Sequence, residues 1–400
     1  MHCPNGGAST LEGDTLDEEK EEMVVTPWKV MGKIDYEKLI EKFGTKPLTD
    51  ELLKRIEKHA GTLHLQLRRG LFFSHRDLDW VLDMYDKGEK FVLYTGRGPS
   101  GPVHIGHLVP WIFTKYLQDS FNAKLYFQMT DDEKYLINPR LTTKRVLHYT
   151  YENILDIIAV GFDPKKTLII SDMRCARTMY NVAVDVARHV TLSTAKAVFG
   201  FEDSSNIGII FFTAVQAVPA FLESIIAKKN VPCLIPAAID QDPYWRVTRD
   251  IAPKLGFYKP AQIHCKFLPG LGKGGKMSAS MPETCIFTVD KIEVVEKKIM
   301  NAFTGGRATV EEQRRLGGDP TACPVHQYLY YIFEEDDDKI RELYRSCVAG
   351  EMLCYECKRI LLEKVKPFLE EHQRKREKAK DLVGEFLADD RIEIDLPWKR

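Results

Sequence analysis

The chain has 400 residues, 44% of them hydrophobic and 29% charged, and a formal net charge of −1. That length allows roughly two or three domains, and the composition excludes a chain that is disordered overall. No apolar run reaches the roughly 18 residues of a membrane span, and the N-terminus has neither a basic start nor an apolar stretch. The expectation is therefore a cytoplasmic protein with no membrane partner.

In chain order, residues 1–22 carry Glu12, Asp14, Asp17, Glu18, Glu19, Glu21 and Glu22 against Lys20. This acidic stretch is expected to be a disordered tail. Its balance of −6 leaves +5 for the remainder, which is compatible with an RNA partner. Residues 23–85 read as an N-terminal extension packed on the next domain. In it, V-V-T-P-W-K-V (24–30) suits a hairpin arm, and D-Y-E-K-L-I-E-K-F suits a helix stopped by Gly44. Ser74 followed by Asp77 forms a near capping box, which makes His75 a structural rather than a catalytic residue.

From residue 86 the pattern alternates between β-rich runs and helical stretches. Strands are predicted at 90–94, 124–129, 167–172, 231–240 and 261–269, with a helix from His104 to Phe121 between the first two. The fold class is α/β, a Rossmann-like doubly wound parallel sheet over residues 86–288. Beyond residue 289 charged helical patterns take over, so 289–400 is expected to be a helical domain. The nine cysteines are scattered. The only close pair, Cys354 and Cys357, lacks a second pair at zinc-finger spacing, so the expectation is reduced structural thiols and no metal site.

The chemistry concentrates at a glycine-rich turn. T-G-R-G-P-S-G-P (95–102) follows the first sheet strand and leads into V-H-I-G-H-L. Histidines three apart on a helix suit a metal, a proton or a phosphate. Free N–H groups at a helix start favour phosphate, and Gly106 lets a nucleotide approach closely. A metal reading lacks both the glutamate of H-E-x-x-H and a third ligand. Downstream, L-G-K-G-G-K-M-S-A-S (271–280) places two lysines in a glycine-rich loop beyond the last strand.

H-I-G-H and K-M-S-A-S together resemble the class I aminoacyl-tRNA synthetases. With Y-T-G-R-G-P (94–99), Q-M-T-D-D-E-K-Y (128–135) and A-I-D-Q-D-P-Y-W-R (238–246), residues 24–390 look like the tryptophanyl-tRNA synthetases of archaeal and eukaryotic cytosolic type. The resemblance implies activation of L-tryptophan by ATP, with Mg2+ carried by the nucleotide, and transfer to tRNA(Trp) by a homodimer. It implies that Lys276 meets the pyrophosphate from one side and Arg97, His104 and His107 from the other. Gly106, Ala238, Asp240, Met277 and Ser278 would hold ATP. Tyr94 and Gln128 would face the indole, while Glu133, Gln216 and Gln241 would hold the ammonium group. The helical domain would bind the anticodon, with Arg307 and the basic helix carrying Lys364, Lys366, Arg374 and Arg376 reaching RNA.

Ala279 stands where many class I enzymes have a second lysine, so loop charge rests on Lys276 with Lys273 in support. Ala238 replaces a family glycine. Several bland readings stay open: a Thr130–Glu133 capping box, a core amide for Gln216, and a solvated face for the basic helix, where Glu363, Glu370, Glu371 and Glu377 interleave. The rival functions are the tyrosine-specific sister enzyme, another H-x-G-H nucleotidyltransferase, and a non-catalytic RNA-binding paralogue.

Overall fold

The computed structural model describes residues 35–390, together with the backbone of two short strands, β1 (Val24–Val25) and β2 (Val30–Met31). These two pair antiparallel, as a hairpin arm would. The acidic stretch 1–22 lies outside the described residues. The helix Tyr36–Phe43 starts on the Asp35 carboxylate, which accepts from the Lys38 N–H, and stops at Gly44 in the left-handed region with φ 63°.

Seven further strands form one sheet: β3 (Lys46–Pro47), β4 (Phe72–Arg76), β5 (Val92–Arg97), β6 (Lys124–Met129), β7 (Thr167–Ser171), β8 (Cys233–Ala238) and β9 (Ala261–Cys265). Their order is β3-β4-β9-β8-β5-β6-β7. The five strands from β9 to β7 run parallel, and β4 and β3 extend that sheet antiparallel. The N-terminal extension thus contributes strands to the sheet as well as packing on it.

Two expectations need correction. β5 runs on through Thr95, Gly96 and Arg97, residues read from sequence as loop, because pairing with β6 continues to Arg97 opposite Met129. Gly96 permits this, since a Cβ there would lie 3.1 Å from the Gln128 carbonyl oxygen. Ser74 does not cap a helix. It is a buried strand residue whose hydroxyl contacts Nδ1 of His264 at 3.1 Å, and His75 Nδ1 is the atom that accepts the Leu78 N–H at 3.2 Å. The structural reading of His75 stands, by another atom.

Apolar side chains fill both faces of the sheet. Leu93, Leu125, Phe127 and Ile263 pack with Trp111 and Phe113 of the helix Ile105–Phe121 on one face. Tyr94, Tyr126, Ile170 and Ile235 pack with Phe212, Phe221 and Trp245 on the other. A third cluster joins Ile105, Val109 and Met277 to Ile299, Tyr328, and Leu361, Val365 and Leu369 of the long helix Cys354–Ala379. The helices after residue 290 therefore share a core with the H-I-G-H turn and the K-M-S-A-S loop. Among the described residues no single helix is long and apolar enough to cross a membrane.

The basic helix is tied down more than its sequence suggests. Arg376 is buried, with its guanidinium 3.1 Å from Asp156 and 2.6 Å from Glu152 of the helix Thr143–Val160, and His372 adds a 2.9 Å contact to Asp156. Lys364 pairs with Glu334 at 2.9 Å. Arg374 pairs with Glu371 on the same helix. Arg376 is a packing residue rather than an RNA contact, because its charge is spent on two carboxylates of the helix Thr143–Val160.

Candidate active site

From β5 the chain winds one way to β6 and β7, and from β8 the other way to β9. β5 and β8 pair only at Val92–Cys233 and Leu93–Leu234, and then part. Pro236, with no N–H to give, lies where pairing has ended. This switch point is where an open α/β sheet leaves a crevice. Here it opens into a cavity of about 620 Å³, within the range typical of small-molecule sites.

Every residue singled out for catalysis, ATP or tryptophan lines that cavity except Tyr94 and Gln128. Those two lie beneath its floor, fully buried on β5 and β6. The Tyr94 hydroxyl donates to Gln128 Oε1 and lies 2.8 Å from the Gln216 carbonyl oxygen. Lys273 is exposed at the loop tip and does not line the cavity, which leaves Lys276 as the loop's cation there. Arg307 lies apart, exposed in the helical region, with its Nε donating to the Gly317 carbonyl at 2.9 Å.

The H-I-G-H turn is built as a helix start. His104 is the N-cap, and its N–H donates to His107 Nδ1 at 3.2 Å. His107 therefore carries its proton on Nε2. The two rings stack with centroids 3.5 Å apart. Burial first, then the Arg97 charge, pushes His104 down to about 3 and holds His107 well below its ordinary value. Both are neutral near pH 7, so what they offer a ligand in the cavity is a hydrogen bond and not a charge. Burial likewise lowers Arg97 to about 10, which leaves it charged. Its Nε donates to Asn153 at 3.0 Å, and Asn153 in turn donates to the Gly101 carbonyl.

Because the folded values are depressed, the neutral imidazoles add stability above the unfolded value of about 6.5 and lose it as pH falls towards about 3. The expected kcat profile for nucleotide chemistry at this site has no inflection near pH 6.5. An inflection there that disappears in His107→Gln would show that a ring is charged at rest.

The K-M-S-A-S loop closes over this turn. Gly274 and Gly275 take φ values of 71° and 79°, and Met277 N–H returns to the Leu268 carbonyl at 2.9 Å. This brings Met277 Sδ to 3.4 Å from the Gly106 N–H, a direct link between the two motifs. A Cβ on Gly106 would lie 3.1 Å from the His104 ring and 3.4 Å from that sulfur. Lys276 Nζ lies 3.1 Å from Asp240 Oδ2 and over the Phe267 ring. Asp240 Oδ1 is buried with no hydrogen-bond partner among the described residues.

At the start of the helix Asp131–Ile137, Thr130 donates its hydroxyl to Glu133 Oε2 at 2.7 Å, and Lys134 lies 2.9 Å from Oε1. Thr130 makes no side-chain cap bond, so the pair is not a capping box. Gln216 stands where the helix Ile207–Val215 breaks before Pro219. The break frees its carbonyl for Tyr94 and leaves its side chain on the cavity wall, not in the core.

Sequence reasoning missed Asp172. Both oxygens of this buried carboxyl lie 2.9 Å from Gln128 Nε2, which orients the amide so that Oε1 meets Tyr94. Burial, then the neighbouring Asp132, raises Asp172 well above the ordinary carboxyl range, and burial lifts Asp132 to about 6. Burial beside a second carboxyl favours the protonated form of Asp172. The available signal was a carboxylate at the carboxyl end of a parallel strand, T-L-I-I-S-D.

A doubly wound sheet with a neutral histidine pair at one helix start, and a lysine loop bonded to that start, defines a class I nucleotide-activating enzyme. Residues 86–370 match the family of class I tRNA synthetases for W and Y, and the chain belongs to that family of aminoacyl-tRNA synthetases. It is 54% identical over 382 residues to the tryptophan–tRNA ligase of Saccharolobus solfataricus, covering 95% of this chain and 99% of the relative. Its fold is similar to the crystal structure of Plasmodium falciparum tryptophanyl-tRNA synthetase, with a TM-score of 0.83, 40% identity, and coverage of 89% and 96% of the two chains. The tryptophan-bound enzyme of Encephalitozoon cuniculi matches with a TM-score of 0.82, 37% identity, and 90% and 99% coverage.

Proposed function

We propose that this enzyme is a tryptophan–tRNA ligase that uses ATP with its Mg2+, acts as a homodimer and works in the cytoplasm. The observation that carries the amino-acid choice is the buried Tyr94–Gln128–Asp172 network under a cavity walled by Glu133, Gln216 and Gln241. The Tyr94 hydroxyl proton is committed to carbonyl acceptors, so its oxygen retains lone-pair capacity for an indole N–H. Glu133 supplies the charge for an ammonium, and Gln216 and Gln241 add amide oxygens.

In the first step a tryptophan carboxylate oxygen attacks the α-phosphorus, and the bond to the pyrophosphate oxygen breaks. Lys276 receives the charge developing on the leaving group. Arg97 and the Nε2–H of His107 meet it from the facing side, and Asp240 is placed for a ribose hydroxyl. No protein nucleophile is needed, and rate comes from alignment and preorganised charge. In the second step a terminal ribose hydroxyl of tRNA(Trp) attacks the carbonyl carbon, and AMP leaves. Arg307 and the exposed Lys366 would meet the tRNA.

A site that requires the ligand's N–H rejects analogues lacking it by about 10⁴ or more. ATP–pyrophosphate exchange, measured with each amino acid in turn, is expected to depend on tryptophan. Exchange with tyrosine alone would move the reading to the sister enzyme, and no exchange at all would overturn it.

A further inference from the structure

Between the K-M-S-A-S loop and the helical region the chain runs through residues 284–290, a segment that does not line the cavity. It bonds both motifs that do. Residues 286–288 run antiparallel to the start of the H-I-G-H helix: the Ile105 N–H donates to the Ile286 carbonyl at 3.0 Å, the Thr288 N–H donates to the Val103 carbonyl at 2.9 Å, and Phe287 bridges His104. On the loop side, the Leu271 N–H donates to the Thr284 carbonyl at 2.8 Å, and the Cys285 thiol donates to the Ser278 carbonyl at 2.9 Å.

Two residues of the helical region hold the same segment. Lys298 Nζ donates to the Cys285 carbonyl and to the Asp290 carboxylate, each at 2.7 Å, and lies over the Phe287 ring. Gln373, on the long helix Cys354–Ala379, donates from its amide nitrogen to the Thr288 carbonyl at 2.8 Å and to the Asp290 carbonyl at 2.9 Å. Thr288 is fully buried, where a carbonyl needs its donor from the protein. The helix that carries Gln373 is itself fixed. His372 and Arg376 both bond Asp156 of the helix Thr143–Val160, and about one turn earlier Asn153 of that helix holds Arg97. The bonds thus form a frame that runs from Arg97 through the two helices and Gln373 to the His104–His107 turn and the Lys276 loop. Those are the three parts that surround the leaving pyrophosphate in the proposed mechanism.

We propose that Gln373 is a positioning residue for adenylate formation: its two donated hydrogen bonds set the segment 284–290, and that segment fixes the spacing of H-I-G-H from K-M-S-A-S. The role rests on the ligase reading above. Only donors serve at this position, since both partners are carbonyl oxygens, and a glutamine amide nitrogen carries two N–H groups, one for each. Without them the segment is released, and a shift of about 1 Å between groups that meet the phosphates costs up to about 10²-fold in rate. Tryptophan binding is spared, because Tyr94, Gln128, Glu133 and Gln216 stand on or beside other elements: β5, β6 and the helices Asp131–Ile137 and Ile207–Val215.

The test compares Gln373→Glu, Gln373→Met and Gln373→Lys in the full-length protein. Glutamate keeps the shape and replaces the donor by an acceptor, methionine keeps the size without a donor, and lysine restores donors on a similar length. Single-turnover adenylate formation is expected to fall by about ten-fold in the first two, with tryptophan affinity kept within about two-fold, and to return to within about three-fold of wild type with lysine. If Gln373→Glu fails to fold, Gln373→Met carries the comparison. An unchanged rate in the folded methionine variant would overturn the role. So would equal losses in rate and tryptophan affinity, or a lysine variant no faster than the methionine one, since either would mark a merely structural residue. A wild type whose pyrophosphate exchange depends on another amino acid sinks the ligase reading alone, and the same three variants are then compared with that amino acid. No exchange with any amino acid overturns both.

Discussion

Replacing Lys276 by alanine is expected to slow tryptophan-dependent pyrophosphate exchange by about 10²–10³-fold, with tryptophan affinity kept within about two-fold. In the proposed mechanism the ammonium meets charge that develops on the leaving pyrophosphate, so its loss falls on the transition state. It pairs with Asp240, which the proposed mechanism places beside the nucleotide. Ala279 offers no second cation at the usual loop position, and Lys273 lies outside the cavity lining, so nothing nearby compensates. Single-turnover adenylate formation and equilibrium tryptophan binding separate the two effects. Equal losses in both would contradict a role confined to the transition state. Lys276→Arg should restore part of the rate, since charge is kept but the point geometry of the ammonium is not.

Arg376→Ala is expected to cost about 3–5 kcal/mol of folding stability, because it strands the Asp156 carboxylate in a buried layer with only His372 beside it. A lowered urea midpoint at constant slope is the readout. Removing the carboxylate as well, in Asp156→Asn with Arg376→Met, should recover much of the loss, since a buried pair matters mostly through what its breaking leaves behind. A loss under about 1 kcal/mol in the single variant would mean that water reaches Asp156, and the solvated-helix reading would return for that end of the helix.

The parallel strands and the first helix were legible because they are buried on both faces or capped in ways the residues announce. Short apolar runs such as K-L-Y-F-Q-M, T-L-I-I-S and C-L-I-P-A-A mark β6, β7 and β8, and Asp35 and Gly44 bracket the Tyr36–Phe43 helix. β4 was misread because its burial depends on β9, a strand so distant in the chain that no local window contains both. The cavity walls were legible through motif spacing. Their charge states were not. The histidine pair looks cationic on paper and is neutral in place, because burial and Arg97 decide its protonation. Asp172 escaped because it gains its meaning only from a partner that the fold supplies, the Gln128 amide.

The two flanks of the sheet carry a last consequence, one for biosynthesis. At one flank β4 and the two-residue β3 lie against β9. At the other, Leu387 bridges Ile169 of β7, the Ala388 N–H donates to the Ile169 carbonyl at 2.8 Å, and Asp390 accepts the Arg177 and Thr178 N–H groups of the next helix. β7 is translated well before Leu387 and Ala388, the residues that cover its open hydrogen-bonding side. Until those residues follow, that edge is a template for stray strand pairing.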